Sequence, residues 1–175
     1  LAAESLGLES VKLLASTYAQ LVEGQTKEVQ FSFDTNHGTD DYLKIIEGKT
    51  ASLIKTSAKL GAMASGCKQE TISSISKWAW HSGIIFQITD DILDLSSDEK
   101  TLGKPSGNDI IEGTYTLPVL IALEKYPEKI NKILSDISEN KVGVNEVINE
   151  FNNDEIISES KLFLKTHLEK SESAA

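Results

Sequence analysis

Three aspartates, Asp90, Asp91 and Asp94, stand inside an otherwise apolar run, "FQITDDILDL". Carboxylates set among large apolar groups are costly unless something pairs with them. On a helical wheel Gln87, Asp90, Asp91 and Asp94 fall at offsets 0, 3, 4 and 7, a single stripe. Ile84, Ile88, Ile92 and Leu95 flank that stripe on one side, Phe86 and Leu93 on the other. Like charges at these spacings oppose helix formation by roughly a few tenths of a kcal/mol, and by more when desolvated. A hard divalent cation relieves the repulsion. Mg²⁺ prefers carboxylate oxygens and commonly links them to substrate phosphates, whereas the spacing does not match a looped calcium site. The competing reading is an acidic helix end beside a solvated loop.

A lysine upstream bears on the choice. With Lys49 at the origin of a wheel advancing about 100° per residue, Tyr42, Ile45, Ile46, Leu53, Leu60 and Met63 all lie within about 60° of it. Lys49 is thus expected at the centre of an apolar stripe, with Thr50 at its border and Lys44 and Glu47 away from it. Such a lysine either snorkels outward or is held inward by an anion. Directly after the acidic stripe, "LGKPSGND" puts Lys104 in a Gly- and Ser-rich turn whose backbone N–H groups can face an anion. Alone, that turn is an ordinary surface loop. Taken together, the cations and the acidic stripe describe a helical site for a phosphorylated ligand with an apolar body.

The elements that must position these residues are helical. Prolines number only three, and apolar residues recur every three or four positions, so the expected class is all-α. A first helix is expected over about 4–23, with Leu14, Tyr18, Leu21 and Val22 inward and Gly24 at its end. Thr39, Asp40 and Asp41 are N-cap candidates for a second, about 42–65, and a third is expected over about 71–95. The turn-rich "SSDEKTLGKPSGND" reads as a loop. Pro118 suits the first turn of a helix ending before Pro127, and Pro127 can open another to about 138. One or two short amphipathic helices and a frayed "SESAA" tail complete the chain.

The bulk numbers narrow the function classes. The 175 residues suit one domain with a sizeable core. With 17 basic and 27 acidic residues the net charge is −10, which argues against nucleic acid and against docking on anionic lipid. One cysteine, Cys67, rules out an internal disulfide framework and points to a reducing compartment. The chain has no apolar run of membrane-spanning length. His37, His81 and His167 share no spacing and read as structural or exposed; Trp78 and Trp80 read as packing residues between helices or subunits. The opening "LAAESLGLES" reads like a helix interior, so a piece of a longer protein is expected.

Four motifs, in order, resemble the C-terminal half of the trans-isoprenyl diphosphate synthases: "LVEGQ", "YLKIIEGKTASLIKTSAKLGAMASG", "FQITDDILDL" and "LGKPSGNDIIEGTYTLPVL". The resemblance runs from about residue 1 to about 123 and is strongest over about 42–120. It implies an all-α bundle around a deep cavity, usually a homodimer. It also implies Mg²⁺-dependent condensation of isopentenyl diphosphate with an allylic diphosphate such as farnesyl or geranylgeranyl diphosphate. The allylic substrate ionises, the isopentenyl double bond attacks the carbocation, and a proton is lost. Cationic groups hold the leaving diphosphate and an apolar tunnel excludes water. Matched position by position, Asp90 and Asp94 correspond to metal ligands, with Asp91 in support. Lys49 and Thr50 correspond to the Lys-Thr pair on the allylic diphosphate, and Gln87 to the amide beside its reacting end. Lys104 corresponds to a loop lysine that clamps the diphosphate; Lys49, Asp90 and Lys104 are therefore the expected catalytic residues.

The chain departs from the family pattern in two places. Short-chain members usually carry a lysine where this chain has Thr114, and the "TLPVL" ending resembles medium- and long-chain synthases that make quinone side chains. The family's first aspartate-rich motif is absent, with its arginines and the upstream isopentenyl-binding basic residues. Residues 1–175 are thus expected to be a partial bundle, the C-terminal portion of a synthase, inactive alone. The rival is a non-catalytic subunit of a heteromeric synthase. Such subunits often lose their aspartates, and retention of the whole set here argues against that. Terpene cyclases and head-to-head synthases do not pair aspartate-rich helices with "GKT" and "GKPSGND" in this order. Bacterial cytoplasm, cytosol, mitochondrion and plastid all fit, with peripheral membrane contact a route for product release.

Overall fold

The computed structural model describes residues 2–96 and 107–174. The expected loop and Lys104 therefore fall, for residues 97–106, outside the described residues. Every regular element described is helical: α1 (Ala2–Gln30), α2 (Thr39–Ile46), a π-helical turn (Glu47–Ala51), α3 (Ser52–Ala64) and α4 (Gln69–Ser96). There follow α5 (Asn108–Ile111), α6 (Leu117–Lys125), α7 (Pro127–Ser138), α8 (Val144–Val147), a 3-10 turn (Ile148–Glu150) and α9 (Asp154–Glu172). The all-α expectation holds. The chain divides into two compact units, one of Leu1–Lys27, Leu43–Gln87 and Lys165–Ala175, the other of Glu28–Tyr42 and Ile88–Leu164.

In the first unit α1 does not bury the face its apolar residues suggest. Leu14, Tyr18 and Val22 are exposed, Tyr18 at 70 %. Among its described side chains the buried positions are Ser10, Thr17 and Gly24, seven residues apart. The Thr17 hydroxyl meets that of Thr56 on α3 at 2.6 Å. Small residues win this face because they let backbones meet. A Cβ on Gly24 would lie 2.7 Å from the Lys49 backbone nitrogen, and one on Gly48 would lie 2.8 Å from the Gln20 carbonyl oxygen. Gly24 is therefore a contact point inside a helix that continues to Gln30, not the helix end that was expected.

The second expected helix, 42–65, is interrupted. Between Ile46 and Ser52 it widens into a π turn, with the Ser52 N–H bonded to the Glu47 carbonyl, five residues back. α4 instead follows its expected bounds within two residues and packs Gly83 on this turn; a Cβ there would come within 2.6 Å of the Ala51 Cα. At the other end of the chain, His167 of α9 reaches His81 of α4, with their Nδ1 atoms 3.1 Å apart. The structural reading of these two histidines holds; their meeting, between residues 86 apart, has no local signal in the sequence. Burial, then His81 and Lys170, press the His167 pKa down to about 4.

In the second unit α6 is buried along Leu117 to Leu123, and Pro118 sits in its first turn as the sequence predicts. Pro127 opens α7, also as expected. α9 is one helix of 19 residues rather than the short pieces anticipated, and reaches into the tail. Lys125 binds Glu155 and Glu159 at 3.2 and 2.7 Å, while Phe151 and Ile156 are fully buried beneath. Gly113, at φ +76°, is required: its N–H donates to the Ile110 carbonyl, its own carbonyl accepts the Phe33 N–H at 2.9 Å, and a Cβ would strike the Phe33 ring at 2.6 Å. His37 is structural here, stacked on Phe31 with centroids 4.8 Å apart and its Nδ1 2.7 Å from the Asp34 carbonyl oxygen.

Candidate functional site

The residues singled out from the sequence fall in both units. In the first, the Thr50 hydroxyl donates to Gln87 Oε1 at 2.7 Å, joining "GKT" to "FQITDD" across 37 residues of sequence. Thr50 is half-buried on the π turn, and Gln87 is half-buried on α4. The turn presents its side chains from a backbone wedged by glycine: Gly24 of α1 abuts it, and so does Gly83 of α4. π turns of this kind recur at functional sites because the extra residue re-aims side chains without ending the helix.

The same turn overturns the placement of Lys49. The wheel put it at the centre of the buried stripe, yet Lys49 is exposed, as is Leu53 at 49 %. Buried positions run Tyr42, Ile45, Ile46, then Ala51, Ser52 and Thr56. The step from 46 to 51 is five residues, longer than an α turn because of the i→i+5 bonding of the π turn, so the residues after Ile46 are rotated off the phase of a uniform α-helix. Of the two readings of that lysine, the outward one describes its position.

In the second unit the acidic ridge splits. Asp90 is exposed, while Asp91 and Asp94 are 4 % and 3 % accessible. Ile84, Ile88, Ile92 and Leu95 are buried on the core side of α4, and Phe86 and Leu93 are exposed on the other. Asp91 Oδ2 accepts the Tyr42 hydroxyl at 2.5 Å. Burial first, then the Asp91 charge and that hydrogen bond, raise the Tyr42 pKa well above its usual value, so the phenol remains a donor. Tyr42 was visible in the sequence as an inward residue, but nothing local tied it to an aspartate 49 positions on.

Among the described residues no three Asp, Glu, His or Cys side chains converge as a ready metal cage. The donor set still suits Mg²⁺. Asp90 and Asp94, at i and i+4 on α4, would supply hard oxygens, and Mg²⁺ commonly takes one or two carboxylates and completes its shell with water and phosphate. No described helix is long and apolar enough to cross a membrane.

The family model described as polyprenyl synthetase matches residues 1–153. Nonaprenyl diphosphate synthase of Mycobacterium tuberculosis is 41 % identical over 120 residues, covering 69 % of this chain and 36 % of that protein. Heptaprenyl diphosphate synthase component 2 of Bacillus subtilis is 31 % identical over 159 residues, covering 91 % and 46 %. The crystal structure of heptaprenyl diphosphate synthase from Staphylococcus aureus superposes with a TM-score of 0.86 at 31 % identity, covering 95 % of this chain and 52 % of that one. The chain thus spans about half or less of the length of the relatives it matches. With a family model matched across residues 1–153, the chain belongs to the polyprenyl synthetase family.

Proposed function

We propose that these residues are part of a prenyltransferase that condenses isopentenyl diphosphate with an allylic diphosphate to give a medium- or long-chain polyprenyl diphosphate. The observation that carries this is the 2.7 Å bond between Thr50 and Gln87, which unites two motifs on a glycine-wedged π turn. In this reading the Lys49 ammonium and Thr50 hydroxyl bind the diphosphate of the allylic substrate, and Gln87 orients its reacting end. Lys104 adds a further positive charge to the leaving group. Asp90 and Asp94 hold Mg²⁺, with Asp91 in support. The bound cation supplies Lewis-acid neutralisation of the diphosphate. An exposed Lys49 suits this role, since its ammonium is within reach of an anion arriving from solvent.

Thr114, in the place where short-chain members usually carry lysine, and the "TLPVL" ending favour the longer products, and with them a quinone side chain as destination. The single free cysteine suits a reducing compartment, and a homodimer is the assembly the resemblance implies. Residues 1–175 alone are expected not to turn over.

The test supplies the whole protein with Mg²⁺, labelled isopentenyl diphosphate and farnesyl or geranylgeranyl diphosphate, and separates the products by chain length. Products of medium or long chain support the reading, and short products correct the chain-length assignment. No elongation from any allylic primer overturns it in favour of a non-catalytic subunit of a heteromeric synthase, a reading kept in view by the relative named as a component.

A further inference from the structure

We infer that Tyr42 is a positioning residue of the acidic turn: its phenol anchors Asp91 and so sets how the neighbouring Asp90 and Asp94 are presented to a divalent cation. The inference rests on the proposed reading of the site. Tyr42 and all three aspartates lie in the same compact unit, and Tyr42 and Asp91 are each 4 % accessible. The separation of 2.5 Å is that of a charge-assisted O–H···O⁻ bond, among the stronger and more directional in proteins. Its geometry settles two things at once. One oxygen of Asp91 is committed to the phenol, and the α4 backbone carrying Asp91 is tied to the start of α2.

The chemistry of the ridge explains why such an anchor is useful. Three carboxylates within five residues repel one another, and a helix turn bearing them tends to loosen when no cation is bound. A buried donor aimed at the middle aspartate stabilises that charge in the cation-free state. It also sets the rotation at which the residues before and after it present their oxygens. Partners one bond removed from metal ligands act in this way, and their loss typically costs about 10- to 100-fold in metal affinity.

Mn²⁺ binding by electron paramagnetic resonance, with amide hydrogen exchange over residues 88–94, tests the inference in the whole protein. Tyr42→Phe is expected to weaken Mn²⁺ binding about tenfold and to speed exchange over the acidic turn without cation. Adding Asp91→Asn to Tyr42→Phe is expected to return cation-free exchange over the acidic turn most of the way to the wild-type rate, because an amide no longer needs the charge-assisted donor. The inference is overturned if Tyr42→Phe matches the wild type in affinity and exchange. It is equally overturned if the double variant exchanges as fast as Tyr42→Phe alone, which would mean that the unpaired Asp91 charge is not what loosens the turn. If the wild type itself binds no Mn²⁺, the proposed function and the cation part of the inference both fail. The exchange comparison then still decides whether Tyr42 anchors α4.

Discussion

At the scale of single residues, exposure separates groups that can be removed from groups the fold depends on. Lys49 and Asp90 are both exposed, so truncating either leaves packing intact. Lys49→Ala and Asp90→Ala are each expected to lower turnover by roughly 10²- to 10³-fold, measured as incorporation of labelled isopentenyl diphosphate by the whole protein. Circular dichroism should be unchanged. Normal rates in both variants would refute the assignment of the site. Tyr42 is different, because its hydroxyl faces a buried carboxylate. Leaving that carboxylate short of a donor is expected to cost about 1–3 kcal/mol in Tyr42→Phe, read from urea unfolding. A stability equal to wild type would show that the pair contributes nothing to the fold.

At the scale of elements, the π turn depends on what presses against it. A methyl group at position 83 would come within 2.6 Å of the Ala51 Cα, which α4 can relieve only by shifting. Gly83→Ala is therefore expected to destabilise the protein by about 1–3 kcal/mol and to raise KM for the allylic substrate as Thr50 and Gln87 separate. Unchanged stability and KM would mean that the wedge is dispensable. The junction of α4 and α9 carries the pH dependence. His167 has its pKa pressed from 6.5 to about 4, so the folded state holds it neutral and resists its protonation. The corresponding stability is fully present above about pH 6.5, where the unfolded histidine is also neutral, and is lost as pH falls toward 4. The change is on the order of 2 kcal/mol, and His167→Gln should flatten that part of the stability–pH curve. A variant with the same slope as wild type would place the acid sensitivity elsewhere.

At the scale of the whole molecule, the proposed activity makes a divalent cation indispensable to turnover and leaves the helices to their own packing. EDTA is expected to stop condensation while far-UV dichroism stays the same, and added Mg²⁺ to restore it; activity that survives chelation would rule out the metal role of Asp90 and Asp94. Local physics made much of the molecule legible beforehand. Helical periodicity and the prolines at 118 and 127 determined the class and the bounds of α4, α6 and α7, because spacings of three and four residues and proline's missing N–H act within a turn. The motifs, likewise local strings, determined which residues to consider. Tertiary structure alone decided their surroundings. The outward rotation of Lys49 follows from a π turn wedged by Gly24 and Gly83, and a wheel of constant pitch contains no such step. Tyr42 with Asp91, Thr50 with Gln87 and His81 with His167 are partners 49, 37 and 86 residues apart. Which of many distant side chains meet is settled by how helices pack, a property of the folded chain that no short window of residues carries.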